Sequence, residues 1–110
     1  MLTQNDMNEL LPDDLRNSLP RLYTQQGVSD PIVHLKFFFP GSAWTWFVTE
    51  GQSEGDDFMF FGYVVGFEAE WGYFALSELD GVNVKGLTIE RDCYFEPSTL
   101  SACLCDLNLQ

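Results

Sequence analysis

The sequence is poor in positive charge. Five Lys and Arg stand against seventeen Asp and Glu, a formal net charge of −12, beyond the magnitude of about 2–8 that suits a small soluble domain. No base occurs between Lys36 and Lys85, whereas eight carboxylates fall between Glu50 and Asp80. Direct binding to nucleic acid or to an anionic membrane is therefore not expected. The fitting partners are cations, basic peptides or proteins with basic grooves. No run of about 18 apolar residues is present, which excludes a membrane-spanning helix. The opening MLTQNDMNELLPDDL lacks the basic segment and apolar stretch of a secretory leader. One histidine and three cysteines, Cys93, Cys103 and Cys105, are too few for a disulfide framework. They fit reduced thiols in a cytoplasmic protein.

Catalytic and metal signatures are scarce as well. Cys103, Cys105 and His34 do not make up four zinc ligands. Glu50, Glu54, Asp56 and Asp57 offer hard oxygen ligands for weak divalent binding, but the EF-hand pattern is absent. His34 lies in an alternating, strand-like stretch with no nucleophile nearby. Asp56 and Asp57 are adjacent, and on a strand would point to opposite faces, unlike the carboxylate pair of a glycosidase. The expectation is no enzyme, no cofactor and no metal.

Aromatic residues are abundant, at 15% of the chain, which separates it from an acidic disordered tail. The length suits one domain over 1–110: a helical lead-in over 1–31, a sheet over 32–96 and a C-terminal helix over 97–110. In the lead-in, Asn5 or Asp6 caps a turn bearing Met7, Leu10 and Leu11. Pro12 then opens a helix that presents Leu15 and Leu19 and stops at Pro20. Ile32–Phe39 alternates, with Val33, Leu35, Phe37 and Phe39 on one face. After Pro40-Gly41-Ser42, Ala43–Thr49 places Trp44, Trp46 and Val48 on one side and Phe47 on the other. EGQSEGDD over 50–57 reads as an acidic loop. Phe58–Phe67 is apolar on both faces, the pattern of an interior strand, with Gly62 and Gly66 marking bulges or close approaches. A turn at 68–72 leads to a strand over Tyr73–Leu76, a helical turn from Ser77 to Gly81, a loop over 82–86 and an extended stretch over Leu87–Phe95. Pro97-Ser98 opens the last helix, with Leu100, Cys103, Leu104 and Leu107 at helical spacing. The fold class is α+β: an antiparallel sheet of four to five strands flanked by short helices. Nothing requires an oligomer, and a monomer is expected.

Two acidic clusters flank the third strand. Carboxylates two apart on an extended chain, such as Glu68 and Glu70 or Glu54 and Asp56, stand roughly 6.6 Å apart on one face. That spacing is of the order of successive phosphates and suits a groove built for a duplex. Glu50, Glu54, Asp56, Asp57, Glu68, Glu70, Glu78 and Asp80 are the candidate partner-binding residues. Trp71 and Tyr73, beside Glu68 and Glu70, are the candidate exposed aromatics. The bland reading is that the acids confer solubility on an aromatic-rich domain.

The segments DPIVHLKFF, WTWFVTEG, EGDDFMFFGYV, ELD and IERDCYFEP resemble a bacterial family of unknown function carried by plasmids, phages and integrative elements. The resemblance covers roughly residues 15–97. It implies an α+β domain encoded on mobile DNA, and it carries over no catalytic residues. By analogy of charge, size and genomic habit, it implies an inhibitor of host defence that imitates DNA. An anti-CRISPR protein blocking an effector complex is the leading expectation. An anti-restriction protein, or an accessory interaction module using an exposed aromatic face, are the alternatives.

Overall fold

A computed structural model of the protein describes residues 9–108; the expected cap at Asn5 or Asp6 and the Met7 contact lie outside them. Helix α1 (Asp13–Ser18) follows Pro12, whose extended backbone makes it the cap rather than the first helical residue. Asp13 and Asp14 sit in the first turn and Arg16 in the last, complementing the helix dipole. A five-stranded antiparallel sheet forms the body, in the order β5-β4-β3-β2-β8. Its members are β2 (Leu35–Phe38), β3 (Thr45–Glu54), β4 (Asp57–Val65), β5 (Ala69–Ala75) and β8 (Glu90–Arg91). Helix α2 (Leu76–Asp80) follows β5 and ends at Gly81. Two minor ladders complete the fold: β1 (Ile32–Val33) with β9 (Ser98–Thr99), and the hairpin β6 (Asn83–Val84) with β7 (Leu87–Thr88). Helix α3 (Leu100–Asn108) closes the described chain. The fold is α+β. Among the described residues, no helix is long and apolar enough to cross a membrane.

The sheet carries a core on each face. On the first, Leu35, Phe37, Val48, Phe58, Phe60 and Phe74 pack with Leu10, Leu11 and Leu19 from the lead-in, and with Leu79 and Ile89. Phe60 is the hub, its ring 5.5 Å from Phe37, 5.2 Å from Phe58 and 5.5 Å from Phe74. Burying each such ring contributes roughly 1.5–3 kcal/mol. On the second face, Val33 and Phe47 pack with Leu100 and Cys103 of α3, and Tyr63, Val65, Phe95, Leu104 and Leu107 lie against them. The leucine and cysteine spacing of the C-terminal helix thus meets its partner. Burial pushes the Cys103 thiol above its ordinary pKa.

Several boundaries depart from the sequence reading. Residues 50–57 are not a loop. The arms of β3 and β4 run through them to a two-residue turn at Gly55-Asp56, where Gly55 takes φ +61°. Glycine at the first central position is what a hairpin of this kind needs, so Glu50, Glu54 and Asp57 sit on paired strands and Asp56 in the turn. Val33 does not share a face with Leu35 and Phe37. The strand breaks at His34, whose N–H bonds to the Val48 carbonyl at 2.9 Å, and Val33 before the break packs in the opposite core. The strand after Glu68 begins at Ala69 rather than Tyr73. The loop at 82–86 is the β6–β7 hairpin, turning through Lys85 and Gly86 at φ +54° and +87°. The extended stretch over 87–95 divides between β7 and β8. Helix α3 starts at Leu100, not Pro97: Thr99 Oγ1 accepts the Ala102 N–H at 3.3 Å, and Asp30 accepts the Ser101 N–H at 2.9 Å.

Candidate functional site

A β-bulge in β3 builds the most distinctive local feature. Val48 pairs with Gly62 and Glu50 pairs with Phe61, so Thr49 is an extra residue on the β3 side. Strict alternation would turn Glu50 toward the same core as Val48. The inserted residue instead re-aims it to the second face, the known use of a bulge. Glu50 ends only 3% exposed. One of its carboxylate oxygens accepts the Tyr23 N–H at 2.8 Å, and the other accepts the Gln25 N–H at 2.5 Å.

The segment after Pro20 is shaped to make those bonds. Tyr23 takes φ +74°, a conformation that costs a non-glycine residue about 1–2 kcal/mol. It is held there from several sides. Gly51 N–H donates to the Pro20 carbonyl at 2.8 Å, and Leu22 N–H to Gln52 Oε1 at 3.2 Å. Gln25 Nε2 donates to the carbonyls of Ile32 and Thr49, while its Oε1 accepts the Ile32 N–H. The turn is thereby tied to β1 and β3 by one side chain.

Between this turn and the sheet lies an open cavity of about 330 Å³, lined by Glu50, Tyr23, Phe61, Trp71 and Tyr73 among others. Phe61 stacks on Trp71 at 5.5 Å with planes 6° apart, and meets Tyr73 at 4.8 Å. Tyr23 and Tyr73 rings lie 6.5 Å apart. A hydrogen bond with Tyr23, then partial burial and the nearby Tyr23 and Glu50 charges, raise the Tyr73 hydroxyl above its ordinary pKa. Tyr23, Trp71 and Tyr73 remain 61%, 42% and 53% exposed.

The ten residues singled out by sequence scatter into four settings. Glu54 and Asp56 are exposed at the β3–β4 turn, and Asp80 is exposed at the end of α2, a helix whose first turn is tied to Asp57 at the start of β4. Glu68 and Glu70 are exposed at the opposite end of β4. Glu50, Asp57 and Glu78 serve the fold. Asp57 accepts from Phe58 N–H, Ser77 N–H and Ser77 Oγ, and these bonds, led by the Ser77 hydroxyl, hold its carboxyl below the ordinary pKa. Glu78 accepts the Ala75 N–H at 2.8 Å, satisfying a free donor at the start of α2. Trp71 and Tyr73 do not share a side with Glu70. They pair with Tyr63 and Phe61 on the second face, whereas Glu70 pairs with Val64 toward the first. The sequence does not single out Tyr23, Gln25 or Phe61 as site residues, because only long-range contacts bring them together. Among the described residues, no group of three His, Cys, Asp or Glu side chains converges to hold a metal ion; Glu50 lies in the cavity, apart from the exposed acids of the turn.

No curated protein and no solved structure matches the chain. A family model, described as "Protein of unknown function (DUF2958)", matches residues 1–107. The chain belongs to that family.

Proposed function

We propose that this is a non-enzymatic binding protein encoded on a mobile element, whose acidic surface occupies the basic, DNA-binding groove of a host-defence complex. A CRISPR effector is the target favoured, a restriction enzyme the alternative. One observation carries the reading: exposed carboxylates crowd both ends of one strand with almost nothing to neutralise them. Glu54 and Asp56 stand at one end of β4, with Asp80 on the helix tied there through Ser77, and Glu68 and Glu70 stand at the other. Lys36–Asp92, at 3.8 Å, is the one ion pair among the described residues. The nine residues of β4 separate the two groups by roughly 27 Å at strand rise. A basic groove following a duplex over about eight base pairs has that reach, at ~3.4 Å per phosphate along each strand.

The test is capture from a host lysate at low and high salt, followed by competition with duplex DNA. The expected outcome is recovery of a nucleic-acid-binding complex that both salt and DNA displace. Reversing the exposed acids (Glu54→Lys with Asp56→Lys, and Glu68→Lys with Glu70→Lys) is expected to weaken binding at least ~10-fold, about 1.4 kcal/mol. Unchanged affinity in folded variants would sink the idea. A second reading, an accessory module docking through its aromatic face, is favoured by the exposure of Trp71 and Tyr73. Salt-resistant capture that is lost in Trp71→Ala would select it.

A further inference from the structure

We infer that the cavity between the Tyr23 turn and the sheet is a binding site for one organic cation, a guanidinium or alkylated ammonium head group, with Glu50 as its counter-charge and Tyr23, Trp71 and Tyr73 as its aromatic walls. The inference does not rest on the acidic ends of β4.

The carboxylate supplies the first argument. Glu50 is 3% exposed, and among the described residues no Lys, Arg or His forms an ion pair with it. A buried charge is ordinarily paired, because losing water is costly. Here two backbone N–H groups hold the carboxylate in place. A carboxylate has about four acceptor directions, so the two N–H bonds leave acceptor capacity on a residue that lines the cavity. The bulge at Thr49 and the left-handed Tyr23 both serve to place this charge. Local devices that cost stability are characteristic of binding sites.

The walls supply the second. Three large aromatic side chains remain 42–61% exposed around the opening, although the same sheet buries Phe37, Phe47, Phe58 and Phe60 almost completely. Aromatic faces attract cations through the ring quadrupole, and alkylated ammonium groups are recognised by cages of such rings. Guanidinium is weakly hydrated and stacks on aromatic planes, so it gives up water more easily than a lysine ammonium. An anion is repelled by Glu50, and a neutral apolar guest would leave the carboxylate buried without a counter-charge. The volume of about 330 Å³ lies at the small end of the ligand-pocket range of ~300–1,000 Å³ and suits one head group rather than a folded ligand.

The test uses the isolated full chain and two matched pairs of probes, followed by NMR titration. One pair is choline and the alcohol in which carbon replaces its nitrogen. The other is N-acetyl-arginine amide and its citrulline counterpart. At least one cation is expected to bind ~10-fold or more tightly than its uncharged partner, with shifts centred on Trp71 and Tyr73. The tighter of the two cations identifies the source as a methylated ammonium or an arginine. Trp71→Ala and Tyr73→Ala remove half-exposed rings that also pack on Phe61; both variants are expected to remain folded, with a modest drop in melting temperature, while weakening binding ~10-fold. Glu50→Gln is expected to abolish the preference for charge. Equal affinity for charged and uncharged probes, or no cation bound by about 10 mM, overturns the inference. Because no host protein takes part, that failure is separate from failure of the DNA-mimic reading.

Discussion

At the scale of the residue, two glycines directly opposite each other have opposite roles. Gly62 pairs with Gly72 across β4 and β5. A Cβ on Gly62 would lie 2.0 Å from the Phe47 carbonyl oxygen and 3.0 Å from the Val48 Cα, where β3 begins its bulge. Backbone cannot rotate away as a side chain can, so the sheet would have to part. Gly62→Ala is expected to cost about 3 kcal/mol, the upper range for overpacking. A Cβ on Gly72 meets nothing within 4 Å, and Gly72→Ala is expected to stabilise by up to ~1 kcal/mol through reduced chain entropy. Urea unfolding of the two variants checks the contrast. Similar midpoints would mean that the close approach at Gly62 relaxes freely. The sequence marks Gly62 as a site of close approach but does not single out Gly72, since the difference lies in the partner strand.

At the scale of the element, the periodic stretches were the legible ones. Leu35, Phe37 and Phe47, and the spacing of Leu100 and Cys103, have the burial that alternation and helical period imply. What alternation could not show were the places where it is interrupted: the break at His34, the extra residue at Thr49 and the tight turn at Gly55-Asp56. The first separates Val33 from the core of Leu35 and Phe37, and the second turns Glu50 to the face that carries Trp71 and Tyr73. Short elements are also tied by single side chains distant in sequence. Asp57 binds Ser77 at the start of α2, and Asp30 binds the hydroxyl and N–H of Ser101 at the start of α3. Both carboxyls are held below their ordinary value of 3.8, first by the serine hydroxyl and then by backbone N–H groups. The folded state therefore binds these protons less readily than the unfolded chain. Their contribution is fully present above pH 3.8 and is lost as pH falls through the lower folded values. Asp57→Asn and Asp30→Asn are expected to lower the melting temperature near neutral pH and to flatten its fall in acid. A parallel fall in variant and parent would show that these ties do not set acid stability.

At the scale of the whole molecule, the decisive quantity is the imbalance of seventeen acids against five bases. Attraction has little to offset it, since Lys36–Asp92 is the one ion pair among the described residues and both side chains are partly exposed. Exposed pairs of that kind contribute about 0–1 kcal/mol. Repulsion among carboxylates acts over longer distances and is screened by salt, with a Debye length of about 30 Å at 0.01 M and 8 Å at 0.15 M. The acids at either end of β4 are roughly 27 Å apart, so the two groups repel each other in dilute buffer and cease to do so near physiological salt. Within each group the charges are closer and remain partly coupled. The melting temperature is therefore expected to rise as sodium chloride increases over this range, the reverse of a protein held together by surface ion pairs. Glu54→Lys with Asp56→Lys, which relieves repulsion at the turn, is expected to melt higher than the parent in dilute buffer, with the gap narrowing as salt is added. Thermal unfolding followed by circular dichroism at several salt concentrations measures both. A melting temperature that falls with salt would mean that attraction outweighs repulsion. The acidic surface would then be holding the fold together, and charge-reversed variants would no longer be clean probes of a basic partner.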